Sequence, residues 1–251
     1  MIKSVSLFGY GHFGVFLHGL AQRYMPDLTL KIYSRSRSGD GAPFVSLEEA
    51  AACDAAILTV PIGAYKATLE KIKPHLGADT VIVDVATVKK YSSELIRTIA
   101  GGHRFISTHP MFGPESYAKR GGDVTGFRIV VTETNLDADI RRALLQALRD
   151  LGFSVVETNS DTHDKDLAET LFLTHYVGQV IARGGFERTD IDTVSFGYLM
   201  DAVDSVRHDT QLFEDVFRFN PYCRQVVERF DASETQVKDR LLSNLRSMQA
   251  D

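Results

Sequence analysis

The chain has 251 residues, enough for one large or two modest domains, and its 44% of apolar residues can fill a real core. Charged residues make up an ordinary 24%, the formal net charge is −5 and no dense lysine–arginine block occurs, which argues against a nucleic-acid-binding face. Apolar runs such as AAILTV (55–60) are too short to cross a bilayer, and the two cysteines, Cys53 and Cys223, give neither a disulfide framework nor a metal spacing.

The N-terminus runs straight into a strand pattern with no signal segment, so a soluble cytoplasmic protein is expected. Cys53 reads as a small buried hydrophobe. The first β-rich run, SVSLFG (4–9), leads into GYGHFG and a helical pattern over 12–24. Gly9, Gly11 and Gly14 hold G-x-G-x-x-G spacing. The triplet is weak alone and gains meaning from the strand before it and the helix after it. Gly9 allows a tight turn, Gly11 lets backbone approach a pyrophosphate, and Gly14 lets helix and strand pack closely. His12 and Phe13, at the helix start, complete this candidate dinucleotide site.

The second run, LTLKIY (28–33), ends at YSRSRS (33–38). An NAD site usually places a carboxylate there for the ribose diol. Here Ser34, Arg35, Ser36 and Arg37 offer hydroxyls and guanidinium groups, which suit a phosphate. NADP is therefore expected, with Arg35 the favoured contact; a solvated basic loop is the plain alternative. The Gly/Ser-rich loop SRSRSGDGAP (34–43) follows. The third run, AAILTV (55–60), closes in TVPIGA (59–64), whose backbone at Val60 and Pro61 is expected along the nicotinamide half.

Further runs follow at 80–85, 104–107, 127–132 and 153–158, with helical patterns over 64–73, 92–100 and 137–151. Near-continuous apolar strands alternating with helices predict a mostly parallel Rossmann-type α/β sheet over residues 1–158. Residues 159–251 read as an all-helical domain. One helix is predicted over 161–183, with Ala168, Leu171, His175, Gly178 and Ala182 on one stripe. Asn220–Pro221 reads as the start of a long helix marked by Val226, Phe230, Val237, Leu241 and Met248.

The stretch STHPMFGPES (107–116) sets His109 just past a strand end, between Pro110 and a Gly113–Pro114 turn. Pro110 restricts His109 to extended geometry. A dehydrogenase needs a base for the hydroxyl proton while its cofactor takes the hydride, and a stiffly held histidine at the carboxyl edge of such a sheet fits that task.

THPMFGPES, with GYGHFG and DVATVK (84–89) upstream and HDKDLAETLFLTH (163–175), TDIDTVSFGYLMDAV (189–203) and LFEDVFRFNPY (212–222) downstream, resembles the prephenate/arogenate dehydrogenases of tyrosine biosynthesis, on the plant-like arogenate side. The resemblance spans nearly the whole chain and implies oxidative decarboxylation of a cyclohexadiene bearing a carboxylate and a hydroxyl, to 4-hydroxyphenylpyruvate or tyrosine, with the NADP expected from YSRSRS as hydride acceptor. It implies His109 as the proton acceptor and Thr87 as a hydroxyl beside it, where the family usually has serine. His175, Glu115 and Ser116 are implied near the substrate. The family's carboxylate-binding arginine aligns with Asp204, which leaves Arg207, one turn on, as the substitute. His103, His163 and His208 read as surface residues.

Lys119 and Arg120 stand where plant-type arogenate enzymes carry an acid for the substrate ammonium, which tilts the expectation toward prephenate with NADP. The resemblance also implies a homodimer through the C-terminal helices. The length is expected to leave no room for an appended regulatory domain, so any feedback by tyrosine would act at the active site. Competing readings are another two-domain NADP reductase, which has no use for THPMFGPES, and an NADPH-binding sensor, which has no use for His109.

Overall fold

The computed structural model describes residues 2–37 and 41–248, with side chains described through 244. Part of the 34–43 loop and the side chain of Met248 thus lie outside the described residues. The chain divides into two compact units, Met1–His163 and Asp164–Asp251.

The first unit holds β1 (Ser4–Phe8), β2 (Thr29–Tyr33), β3 (Ala55–Leu58), β4 (Val81–Asp84), β5 (Arg104–Pro110), β6 (Arg128–Thr134) and β7 (Ser154–Glu157) in one sheet, ordered β2-β1-β3-β4-β5-β6-β7. The apolar runs of β1, β3 and β4 are largely buried on both faces, as parallel strands under helices should be. Every pairing is parallel except β5 with β6. Between those two strands the chain forms only the short α5 (Pro114–Lys119) and no full crossover helix, so β6 returns antiparallel. Between β1 and β3 the strand order reverses direction, and such a switch point opens a crevice at the carboxyl ends of the strands.

The other helices of this unit are α1 (His12–Tyr24), α2 (Leu47–Ala51), α3 (Tyr65–Ile72), α4 (Lys89–Ala100) and α6 (Ala138–Asp150). Helix α2 was not legible by periodicity; a Ser46–Glu49 capping box defines it. Two boundaries differ from expectation. Helix α4 starts at Lys89 rather than 92, because Lys89 and Ser92 both turn to a buried carboxylate. Strand β5 runs on to Pro110, so His109 sits within the strand.

Helix α7 (Ser160–Leu167) crosses the division between the units, which falls after His163, whereas the expected boundary lay between 158 and 159. The second unit continues through a π-helical turn (Ala168–Phe172), α8 (Leu173–Arg183), α9 (Val194–Val206), α10 (Thr210–Phe219) and α11 (Cys223–Met248). The helix predicted over 161–183 is thus interrupted by wider turns. Phe172 is fully buried and stacks on Phe213 and Phe217 at 5.4 and 5.8 Å. A Cβ on Gly178 would lie 2.4 Å from Val206 Cγ2, so the small residue on the stripe serves the close approach of α9. Helix α11 opens at Cys223, two residues after Pro221: Asn220 ends α10, its Oδ1 accepts from Tyr222 N–H at 3.0 Å, and its Nδ2 donates to the Asp164 carbonyl at 2.8 Å.

Candidate active site

The loop after β1 is built to leave backbone bare. Gly9 has φ +115°, and a Cβ there would stand 2.9 Å from Val60 Cγ1 and 3.0 Å from the Thr59 carbonyl. The Thr59 hydroxyl donates to the carbonyls of Phe8 and Gly9 at 3.1 and 2.8 Å, tying the ends of β1 and β3 together at the switch point. A Cβ on Gly14 would meet the Gly9 carbonyl at 2.5 Å, so the helix can approach the loop only with glycine there. Gly11 faces open space and precedes α1 with no side chain capping the helix. His12 is exposed and Phe13 half-buried beside it. A helix of 13 residues with an uncapped, exposed N-terminus is a ready site for a pyrophosphate, and the donors present fit one. Val60 borders this loop, and the exposed Pro61 opens the short 3₁₀ turn after it.

At the end of β2, Ser34 is buried and its Oγ lies 3.2 Å from Ser36 Oγ, while Arg35, Ser36 and Arg37 are exposed. The Arg37 guanidinium lies 5.5 Å from the rings of both Tyr10 and Phe44, over the glycine loop. Sequence reasoning favoured Arg35; the side chain held in place beside the glycine loop is that of Arg37.

The ends of β4 and β5 differ in kind. Asp84 is fully buried. Its Oδ1 accepts from Tyr65 OH (3.0 Å) and Ala86 N–H (2.8 Å), and its Oδ2 from Lys89 Nζ (2.7 Å), Ser92 Oγ (2.6 Å) and Ser107 Oγ (3.1 Å). Lys89 is buried completely and also donates to the Thr108 carbonyl at 2.5 Å, while Thr108 Oγ1 donates to the Asp84 carbonyl at 2.8 Å. A buried ion pair is tolerable only with its remaining lone pairs and protons satisfied, and here they are. Burial, then the charge of Asp84, pushes the Tyr65 hydroxyl well above its ordinary pKa, so it stays a donor. Besides Thr87, the stretch DVATVK holds the Asp84–Lys89 pair, five residues apart, which its spacing did not disclose. Thr87 itself is half-buried in the loop between them.

This network fixes the backbone on which His109 stands. The register of β5 against β6 slips between Ser107 and Thr108, with Thr132 the extra residue on β6, and such bulges re-aim the following side chain. His109 is buried, and its Nδ1 lies 3.0 Å from His163 Nε2. Burial first, then His163 and Lys89, hold its pKa well below the usual histidine value, so the ring is neutral at physiological pH. The expectation that His163 lies at the surface is corrected: it is 5% exposed, on the first turns of α7. Its only signal in the sequence was its place in HDKDLAETLFLTH. His103 is half-buried, and His208 is exposed as expected.

Beyond His109 the motif is anchored by Phe112, buried and stacked on Phe127 at 4.7 Å, with Phe16 of α1 edge-on at 5.8 Å. One aromatic cluster therefore holds both the glycine-loop helix and the histidine strand. Met111 N–H donates to the Arg128 carbonyl, and Ser116 Oγ closes onto Gly113, accepting from its N–H and donating to its carbonyl. Glu115 is exposed on the first turn of α5. The structure of the first unit thus gathers Gly9–Gly14, Val60, Pro61, Ser34–Arg37, Thr87 and His109 along the carboxyl ends of five adjacent parallel strands.

His175 and Arg207 belong to the second unit. His175 is buried, its ring lies parallel to Phe213 at 6.5 Å, and its Nδ1 lacks a partner. Burial lowers its pKa against the opposing charge of Asp209. Arg207 is exposed and donates to Asp204 at 3.1 Å, the position where the aligned arginine is missing. Among the described residues no cluster of His, Cys, Asp or Glu could hold a metal, and no helix is long and apolar enough to cross a membrane.

The profile of the family described as prephenate dehydrogenase, nucleotide-binding domain, matches residues 39–132, and that described as TYRAAT1-like, C-terminal domain, matches 180–251. Arogenate dehydrogenase 1, chloroplastic, of Arabidopsis thaliana is 29% identical over 97% of this chain, and arogenate dehydrogenase 2, chloroplastic, of the same plant 28% over 96%. The chain resembles the prephenate/arogenate dehydrogenases along nearly its whole length. It spans 40% of the length of the first relative and 70% of the second. The fold is that of prephenate dehydrogenase from Aquifex aeolicus, solved with hydroxyphenyl propionate and NAD+, at a TM-score of 0.73 and 18% identity over 98% of this chain and 93% of that one.

Proposed function

We propose that the protein is an NADP-dependent dehydrogenase that oxidatively decarboxylates prephenate, and arogenate less well, in tyrosine biosynthesis. The observation that carries this reading is His109: a buried imidazole kept neutral on a strand end fixed by the Asp84–Lys89 network. A neutral ring is the form that can accept a proton.

Gly9, Gly11, His12, Phe13 and Gly14 would hold the pyrophosphate, Ser34, Arg35, Ser36 and Arg37 the 2′-phosphate, and Val60 and Pro61 the nicotinamide side. NADP, when bound, supplies a hydride acceptor. His109 takes the proton of the ring hydroxyl as the hydride leaves the same carbon, and loss of the ring carboxylate as carbon dioxide completes an aromatic ring. Thr87 supplies a second hydroxyl on the adjacent loop. His175, Glu115, Ser116 and Arg207 are the proposed substrate contacts.

The preference for prephenate rests on the chain after Ser116. Asp123, the first acid beyond it, is engaged with Thr125 N–H and hydroxyl, both at 2.9 Å, and Lys119 is an exposed cation. No acid stands nearer to Ser116 on that side to meet an ammonium. A homodimer is proposed through the second unit, where Ile191, Val194, Tyr198, Val237 and Leu241 are all at least half exposed; size-exclusion chromatography should give twice the chain mass. Both cysteines are free and buried, and burial raises the Cys223 thiol to about 12, which suits a reducing cytoplasm and no thiol chemistry.

Four initial rates, prephenate and arogenate each with NAD and NADP, test the proposal. Prephenate with NADP should be fastest. A clear lead for arogenate removes the loop-charge argument, and no turnover with either substrate while NADPH binds would favour a sensor.

A further inference from the structure

His163 has no role from the sequence or from the family resemblance, and the one assigned below rests on the reading of His109 as base. Its imidazole packs edge-on to that of His109, centroids 5.2 Å apart at 71°, with His109 Nδ1 and His163 Nε2 in hydrogen-bond contact. In such a contact one ring must donate and the other accept. If His109 donates from Nδ1, its Nε2 carries a lone pair; if it accepts at Nδ1, its Nε2 carries the proton and cannot serve as a base. Nε2 of His109 has no hydrogen-bond partner among the described residues. The direction of one hydrogen bond therefore decides whether the site works.

The turn carrying His163 is fastened for such a task. Asn159 accepts from His163 N–H through its carbonyl (2.9 Å) and from Thr162 N–H through its side chain (2.8 Å), which fixes the first turn of α7. Ser160 Oγ donates to Glu133 on β6 at 2.8 Å, and Asp161 takes Lys90 of α4 at 2.6 Å. Residues just before His163 are thus bonded to two elements of the same unit, and a ring positioned this way can hold another within the narrow tolerance that proton transfer requires. A core histidine kept only for packing has no need of a nitrogen-to-nitrogen contact with the base.

We propose that His163 is a positioning residue: its Nε2 accepts the Nδ1 proton of His109 and so holds His109 in the tautomer whose Nε2 faces substrate as the proton acceptor. No carboxylate takes that proton, so the base is oriented without an added negative charge.

The test uses the full chain and two substitutions. His163→Met keeps bulk and removes the acceptor; His163→Gln restores an amide oxygen. Relative to wild type, Met should lower kcat on the order of 10²-fold, within the roughly 10²–10⁴-fold that a positioned base contributes, with the NADPH dissociation constant, read by nucleotide fluorescence, unchanged. Gln should recover kcat to within about tenfold of wild type. Imidazole ¹⁵N spectra of the wild type, with His109 assigned by its loss in His109→Gln, should show the Nδ1-protonated tautomer. The Nε2-protonated tautomer overturns the proposal, even if His163→Met does not fold. A His163→Met protein with wild-type kcat overturns it as well. Correct tautomer without turnover on either substrate would instead sink the assignment of the reaction.

Discussion

The loop after β2 and the loop after β4 open on the same edge of one sheet and are built in opposite ways. After β2 the charged groups stand in solvent: Arg35 and Arg37 are exposed, and the hydroxyls of Ser34 and Ser36 bond mainly each other. After β4 the charges are sealed: Asp84 and Lys89 are both fully buried and five donors converge on one carboxylate. A solvated loop can change its residues at little cost in stability, so it is the natural place to choose between two dinucleotides. A sealed network cannot change one member without stranding another, so it is the natural place to hold a reacting group to a fraction of an ångström.

The contrast breaks first at Asp84. Asp84→Ala should destabilise the first unit by about 3–5 kcal/mol, since it leaves the Lys89 ammonium buried and unpaired. Urea unfolding followed by circular dichroism measures this; a shift within about 0.5 kcal/mol, the range for ordinary surface changes, would show that water replaces the carboxylate. His109→Asn should fold normally and lose roughly 10²–10⁴-fold in kcat, with NADPH binding retained. Near-normal turnover in that variant removes His109 as the base.

The two loops also differ in how far the sequence revealed them. The close packing of the GYGHFG turn was legible because it is set by local backbone at Gly9 and Gly14, and the exposure of Arg35, Ser36 and Arg37 follows from a run of polar residues. The fold class was readable for a related reason: buried parallel strands leave near-continuous apolar runs, as at β3 and β4. The Asp84–Lys89 pair was not, because its partners Tyr65, Ser107 and Thr108 come from two other elements, α3 and β5, and meet it only in the folded sheet. His163 was misplaced for the same reason: a histidine among acidic and basic neighbours looks solvated until α7 is packed. The π-helical turn at Ala168–Phe172 disturbs a periodicity that looked regular, and α2 is too short to show one.

At the open loop, Arg35→Ser and Arg37→Ser sharpen the comparison. A charge-assisted hydrogen bond contributes about 1.5–3 kcal/mol, so the arginine that meets the 2′-phosphate should weaken NADP binding by about 10–100-fold. NAD affinity and the unfolding midpoint should stay near wild type. The pose of Arg37 over Tyr10 and Phe44 favours it for the larger loss. Equal losses for NAD and NADP would mean that the loop is only a basic surface.

The smallest expected effect is one that an ordinary histidine would show and His109 should not. A free imidazole has a pKa near 6.5 and would be half protonated there, which halves the neutral base. Burial, His163 and Lys89 all push the His109 value well below that. In the free enzyme, kcat/KM should therefore stay flat as pH falls from about 7.5 to 6.5, its acid limb appearing only lower. The same depression has a stability sign. The unfolded chain takes up a proton near pH 6.5 and folded His109 does not, so this group's contribution falls as pH drops below that value and levels off beneath the folded pKa. A twofold loss of kcat/KM at pH 6.5 would mean that the ring is solvated in the working enzyme, and the sealed loop would then be no better sealed than the open one.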